Sequence, residues 1–451
     1  MAKPHTSLQE LHIPSTKSLI KPRQFPFYYG WFLLPVAIIG VLMSLPGQTA
    51  GFSAFTEPLL AVSHISRTKL SLAYMFGTMG CALLLPLMGT FVDKYGSRKM
   101  MPIACVLLSL TLVFLSQVDS IVTGMSEIFN LSSNQGLFFI CFVVGIFGLR
   151  FLGQGMLPLC SNTMIGKWFE KSRGKAVAVM SVVNSLAFAS APVVLNKLVA
   201  GMGWKGAWIF LAVIVGGVMS FIAWLFYRDT PESCGLHLEN EAPQKNENGE
   251  TLVAEITGMT RGAAIRTLDF WLLSMCTALY GLVMTGFTFH IEAVGAEAGI
   301  PVIKAVSIFL PITLITTPLS FFASWMSHHI RAKFYILCMC AGEIIAFISI
   351  FFLDTPWGYA GSIIGLGIAG GLMGPIITTV VPKVFGRLHL GAISGLLNSI
   401  IVLASAIGPI FLSFVKDLTG RLSLAILYAA AVPFIILALS FKMKGRALRE
   451  G

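Results

Sequence analysis

Twelve apolar runs, each of roughly twenty residues and parted by short polar turns, limit what this chain can fold into. They fall at about 28–51, 70–92, 99–117, 136–163, 174–196, 204–227, 270–291, 302–326, 333–353, 358–381, 391–415 and 421–441. A helix crossing about 30 Å of hydrocarbon needs about 20 such residues, with every backbone group bonded inside its own segment. Of the 451 residues, 56% are hydrophobic and only 11% charged, a balance that the surface of a soluble domain of this size would not carry. The expected fold is an all-α membrane protein of twelve spans.

The basic residues orient it. The termini and even-numbered loops hold 23 of the 31 lysines and arginines, the odd-numbered loops hold 7, and Arg150 alone falls deep inside a span. Positive charge retained inside predicts cytoplasmic termini, and the net charge of +11 then reports orientation against the lipid bilayer rather than nucleic-acid binding. Residues 1–27 lack an apolar stretch and are read as a cytoplasmic segment, not a cleavable signal. The expected divisions continue with a six-helix bundle over 28–227, a polar cytoplasmic linker at 228–269, a second bundle at 270–441 and a tail at 442–451. Seven of the eight cysteines lie in apolar spans, so no disulfide framework is expected. Cys338-Met339-Cys340 has only Glu343 near it on its own helix and is read as packing, with no metal and no cofactor.

The two bundles repeat. At an offset of 217 residues Gly153 falls on Gly370, Pro158 on Pro375, Gly174 on Gly391 and Pro192 on Pro409. Around the second and third spans the offset becomes about 231, setting Gly89 on Ser320 and Asp93 on Ser324. An 18-residue loop at 118–135, against a four-residue counterpart at 354–357, explains the change of register.

The turn Gly89-x3-Asp93-x2-Gly96-x-Arg98-Lys99, after the second of twelve spans, resembles the signature loop of the major facilitator superfamily. The resemblance covers about 25–445. It implies a secondary carrier working by alternating access, with spans 1, 4, 7 and 10 lining a central path, and a latch between halves at Gly89, Asp93, Gly96, Arg98 and Lys99. Arg150-Phe-Leu-Gly153-Gln-Gly155, Lys167-Trp168-Phe169, Arg173-Gly174-Lys175, Arg228-Asp-Thr-Pro231-Glu232 and Asp269-Phe270-Trp271 are similar to the bacterial branch that contains the oxalate:formate antiporter and monocarboxylate-porter-type carriers. That branch holds substrate carboxylates with an arginine in the eighth span, and the oxalate carrier adds a lysine in the eleventh. Here the eighth has only Lys304 at its outer end and the eleventh has no base, so an oxalate assignment does not transfer.

Arg150 is the one charge in the middle of a path-lining span. Its burial costs about 2.5–3.5 kcal/mol even on the lenient insertion scale, so it faces water or a partner, either as an anion clamp or as fixed interhelical glue. Gln154 follows one turn on, and Gln48, Tyr280, Asn184 and Asn398 are further candidates for the path. Breaks at Pro46-Gly47, at Gly281 and Gly286, and from Gly365 to Pro375 fall in helices of the kind that bend at transport sites. Spans 1, 2, 4, 5, 7, 8, 10 and 11 contain no internal carboxylate. A coupling proton would then fall to His290 with Glu292, to Glu57 past the first span, to Glu343 in the ninth, or to the substrate itself, and a counter-substrate is the alternative.

The expectation is a carrier for a small mono- or dicarboxylate anion, monomeric, in a bacterial inner (plasma) membrane. A neutral sugar, amino acid or drug-like solute, with Arg150 purely gating, and a non-transporting sensor of the same fold are the alternatives. No nucleotide-binding loop or catalytic set appears, so an enzyme is not expected.

Overall fold

In the computed structural model the described residues are 22–129, 134–237, 244–245, 251–252 and 258–442. The N-terminal expectation over 1–21, most of the linker's centre and the tail beyond 442 lie outside them. Eleven segments are long and apolar enough to cross a bilayer. These are Tyr29–Ser63, Lys69–Tyr95, Ser97–Ser116, Gln135–Trp168, Val194–Phe226, Leu268–Phe289, Ile303–His328, Ala332–Phe351, Pro356–Phe385, Leu390–Thr419 and Leu422–Ser440. The expected fifth span belongs to the helix Arg173–Ala212, which breaks its direction at Gly203, φ 72°. A positive φ of this kind suits glycine. Residues 173–202 therefore form the fifth span, and 203–226 the sixth. The expected loop at 118–135 contains a helix, Val118–Ile128, with Val118, Val122 and Ser126 turned inward. Its Asp119 pairs with Lys205 at 2.5 Å.

Local chemistry sets the ends. Ser66, Thr267 and Thr355 each accept a backbone N–H three residues on and cap the second, seventh and tenth spans. Gly96, φ 82°, is the entire connection between the second and third spans. The first span is interrupted by a short 3-10 turn, Leu45–Gly47, where Pro46 removes a donor and frees backbone carbonyls.

Two separate apolar cores result, one drawn from residues 29–227 and the other from 264–436. Where the halves meet, glycines bring backbones together. A Cβ on Gly89 would lie 2.2 Å from the Gly391 carbonyl oxygen, and one on Gly174 would lie 2.2 Å from that of Ser324. Under the repeat offsets the second is the counterpart, with the halves exchanged, of Gly391 against Asp93, one turn along from Gly89, since Gly391 corresponds to Gly174 and Ser324 to Asp93. Association through small residues gains dispersion contacts that larger side chains would block.

Candidate functional site

Arg150 lies in a widened π-helical turn of the fourth span, Leu149–Met156, and is 6% exposed. That turn nests against the break in the first span: a Cβ on Gly47 would be 2.2 Å from the Leu149 carbonyl oxygen. The freed Gly47 carbonyl accepts from Arg150 Nη1 at 3.2 Å, and Thr49 Oγ1 accepts from the same nitrogen at 3.2 Å. The guanidinium lies 5.0 Å from the centroid of the Tyr74 ring, whose hydroxyl bonds Thr49 Oγ1 at 2.8 Å. A flat cation on an aromatic face keeps its in-plane donors free. Arg150 Nε and Gln154 Oε1 are buried without partners among the described residues, while Thr49 is exposed and Tyr74 half-buried. The sequence reading missed Thr49 and Tyr74, since neither an exposed threonine nor a lone tyrosine on the second span carries a pattern.

The other candidates for the path do not all join this cluster. Gln48 is adjacent to it in the chain, and its amide donates to Ser44 Oγ at 3.1 Å. Asn398 lines a small cleft with Asn162, Thr163, Thr378 and Ser394, between the fourth, tenth and eleventh spans. Tyr280 is 8% exposed, beside Gly370 and Thr316. Asn184 Oδ1 is buried without a partner among the described residues.

At the end bearing the basic loops the halves are tied shut. Asp93 Oδ1 accepts from the Gly391 N–H at 3.0 Å and Oδ2 from the Ala392 N–H at 2.6 Å, in the first turn of the eleventh span. Lys167 Nζ completes the site at 2.9 Å from Oδ1. A carboxylate on a helix N-terminus satisfies orphan donors and meets the positive end of the dipole. Arg387 bonds the Lys167 carbonyl oxygen and pairs with Glu232 at 3.2 Å. Arg261 donates to the Pro86 carbonyl at 3.0 Å and to Thr90 Oγ1 at 3.2 Å.

Among the described residues the Arg98 and Lys99 side chains make no hydrogen bond or ion pair with the other half. The Arg98 backbone N–H instead donates to Asp229 Oδ1 at 2.9 Å, and a Cβ on Gly96 would collide with that carboxyl. Burial pushes Asp229 above its ordinary carboxylate range, against the Arg98 N–H and the charges of Lys167, Arg98 and Lys99. The ties across the halves come from Asp93, Arg261 and Arg387; the last two lie in loops where sequence offered only a charge count.

His290 Nε2 lies 3.1 Å from the Pro409 carbonyl oxygen and 3.2 Å from Ser413 Oγ, while the Glu292 side chain is outside the described residues. Glu343 is 0% exposed. Its packing environment, read earlier along one helix, includes a cysteine from another: Cys276 Sγ is 3.9 Å from Glu343 Oε2 and 3.7 Å from Cys340 Sγ.

A family model for the Major Facilitator Superfamily matches residues 24–409. The chain belongs to the major facilitator superfamily. Its members are transporters, not enzymes. Among characterised relatives, the glycerol-3-phosphate transporter of Bacillus subtilis (strain 168) is 30% identical over 213 residues, 45% of this chain and 44% of that one. A probable hexose phosphate transport protein of Chlamydia trachomatis is 37% identical over 121 residues, 26% of this chain and 25% of that one. Monocarboxylate transporter 1 of Bos taurus is 28% identical over 205 residues, 42% and 34% of the two chains. The chain thus spans less than half the length of each of these relatives. Solved structures share the fold: the human organic anion transporter MFSD10 (TM-score 0.64, 14% identity, 92% of this chain and 100% of that one), and the E. coli fucose:proton symporter FucP (TM-score 0.63, 14% identity, 92% and 99%).

Proposed function

We propose that this chain is a secondary transporter for a small organic monoanion, a monocarboxylate for preference, working by alternating access with Arg150 as the anion's anchor. The observation that carries this reading is the charge of the path. Among the described residues, Arg150 is the only charged side chain in the middle of spans 1, 2, 4, 5, 7, 8, 10 and 11, with Glu57 in the last two turns of the first span, and one of its nitrogens lacks a partner among them. A monovalent anion beside this guanidinium leaves the pair neutral, and a carboxylate fits its planar donors. A dianion would leave one uncompensated negative charge in a poorly solvated place, which costs several kcal/mol. The relatives named for organophosphates and for monocarboxylates both carry anions by name, and the single positive charge favours the second kind. Likeness to the oxalate:formate and monocarboxylate-porter branch agrees, without the two-base clamp.

The basic-loop end, closed by Asp93, Lys167 and Arg387, is read as the cytoplasmic end in a bacterial inner membrane, with both termini on that side. Transport then requires Asp93 to release the eleventh span. No carboxylate faces Arg150 among the described residues, so a coupling proton travels on the substrate, or a counter-anion replaces it.

Counterflow into proteoliposomes tests the reading with labelled lactate-like monocarboxylates beside glycerol-3-phosphate. Monocarboxylate exchange should be lost in Arg150→Ala and partly kept in Arg150→Lys. Carboxylate uptake that is unchanged in Arg150→Ala, or organophosphate exchange faster than carboxylate exchange, defeats it.

A further inference from the structure

The seventh and ninth spans bring Cys276, Cys340 and Glu343 together inside the second half, away from Arg150, and the transport reading uses none of them. All three are sealed from solvent, at 0% exposure. Cys340 and Glu343 stand three residues apart on one face of the ninth span, and Cys276 faces them from the seventh. The sulfurs are 3.7 Å apart, Cys276 Sγ is 3.9 Å from Glu343 Oε2, and one donor atom from each residue lies within 4.8 Å of the others.

Packing alone explains this poorly. Glu343 Oε1 is buried with no partner, which costs about 1–3 kcal/mol, and Oε2 has only a thiol, a weak donor. Among the described residues no cationic side chain pairs with this carboxyl. Two sulfurs sharing a tetrahedral ion at about 2.3 Å each stand about 3.8 Å apart, and a carboxylate oxygen at about 2.0–2.2 Å stands about 3.5 Å from each. The S···S separation already matches, the Cys276 S···O contact need close by only a few tenths of an ångström, and the carboxylate oxygen, within 4.8 Å of Cys340 Sγ, has to approach that sulfur by up to about 1.3 Å. Two sulfurs and one oxygen select a thiophilic or borderline ion over magnesium or calcium.

We propose that Cys276, Cys340 and Glu343 form a binding site for a single thiophilic divalent cation of the zinc or cadmium class. Charge balance in so dry a place fixes the protonation: the dication displaces two thiol protons to solvent, both thiolates ligate, and the carboxyl stays protonated and donates its carbonyl oxygen. The assembly is then neutral. Cys276 lies one turn before Tyr280, so a bound ion pins a path-lining span to a supporting one.

Full-length protein, reduced and in nanodiscs, is titrated with Cd2+ while the ultraviolet sulfur-to-cadmium charge-transfer band is followed; Zn2+ retained after gel filtration is measured by elemental analysis. A band saturating at one ion per chain is expected, unchanged in Cys338→Ser. Loss of one ligand in Cys276→Ser or Cys340→Ser should weaken binding by more than about 100-fold, beyond the roughly 10–100-fold typical of an outer-shell partner. Glu343→Leu, which removes the oxygen donor at similar size, should also bind more weakly. Absence of a saturable band in the native protein overturns the site, as does native affinity in both serine variants. Should the serine variants fail to elute as folded protein, native affinity in Glu343→Leu overturns it alone.

Discussion

Asp93→Asn isolates the tie between halves with little change of shape. The native carboxylate receives the N–H groups of Gly391 and Ala392 at 3.0 and 2.6 Å and the Lys167 ammonium at 2.9 Å. An asparagine keeps one acceptor oxygen, turns the other position into a donor facing an N–H, and leaves Lys167 without its counter-charge. The side chains of Lys167 and Asp93 are 10% and 8% exposed, so solvent screens little of this loss. One charge-assisted bond is worth about 1.5–3 kcal/mol, and stranding a buried partner charge costs about 3–5 kcal/mol where it cannot relax. Lys167 sits at the end of its span and can turn to water, so a net shift of about 2–4 kcal/mol towards the open arrangement is expected, or roughly 30- to 900-fold in the equilibrium. Hydrogen–deuterium exchange reads this directly, because amide protection follows the free energy of opening. Faster exchange should appear in the first turn of the eleventh span and, together with it, at 85–95 on the second, whose amides do not bond Asp93. Unchanged protection over 85–95 in a folded variant refutes the reasoning, since it would mean that the carboxylate caps a helix without holding the halves.

Three further expectations come from the same interface and one, Gly124→Ala, from outside it. Gly89→Ala places a methyl 2.2 Å from the Gly391 oxygen and should cost the closed state about 1–3 kcal/mol, raising exchange at the same peptides. Gly124→Ala, whose Cβ meets nothing within 4 Å, should leave melting temperature unchanged or raise it by the equivalent of up to about 1 kcal/mol. Asp229 has a folded pKa raised above its ordinary 3.8 by burial, so its contribution to stability is complete below 3.8 and is lost as pH rises through the folded value. The melting temperature of Asp229→Asn relative to the native protein should therefore climb across that window; a constant difference counts against the assignment. Glu232→Gln should couple to Asp93→Asn by about 0.5–3 kcal/mol in a double-mutant cycle, because Arg387 bridges Glu232 to the Lys167 backbone; strict additivity of the two in thermal melts would disprove the shared network.

Residues 89–99 show how far sequence carried. Gly89 and Asp93 were legible as contact-making residues because a close-approach glycine and a carboxylate at a helix end have few other uses. The partners were not: Lys167, Gly391 and Ala392 lie 74, 298 and 299 residues away, and no local pattern announces such a contact. The partners of Arg98 and Lys99 were illegible for the same reason, since charge tells that a residue can pair but not with what. Arg150 stood out by its cost alone, whereas Thr49 and Tyr74 became visible only once the broken first span packed against the widened turn of the fourth.

The sequence by itself determined the solvent, the twelve spans, the repeated halves and the isolated positive charge, because hydrophobic length and the cost of a buried ion are properties of short stretches of chain. The tertiary structure decided which halves touch and through what: that Asp93 closes on the eleventh span while Ser324 holds the matching place on the fifth, and that Cys276 from one helix meets Cys340 and Glu343 from another. Those are distances between segments far apart in the chain. Interhelical packing of small residues sets them, and it leaves no periodic trace in any one segment.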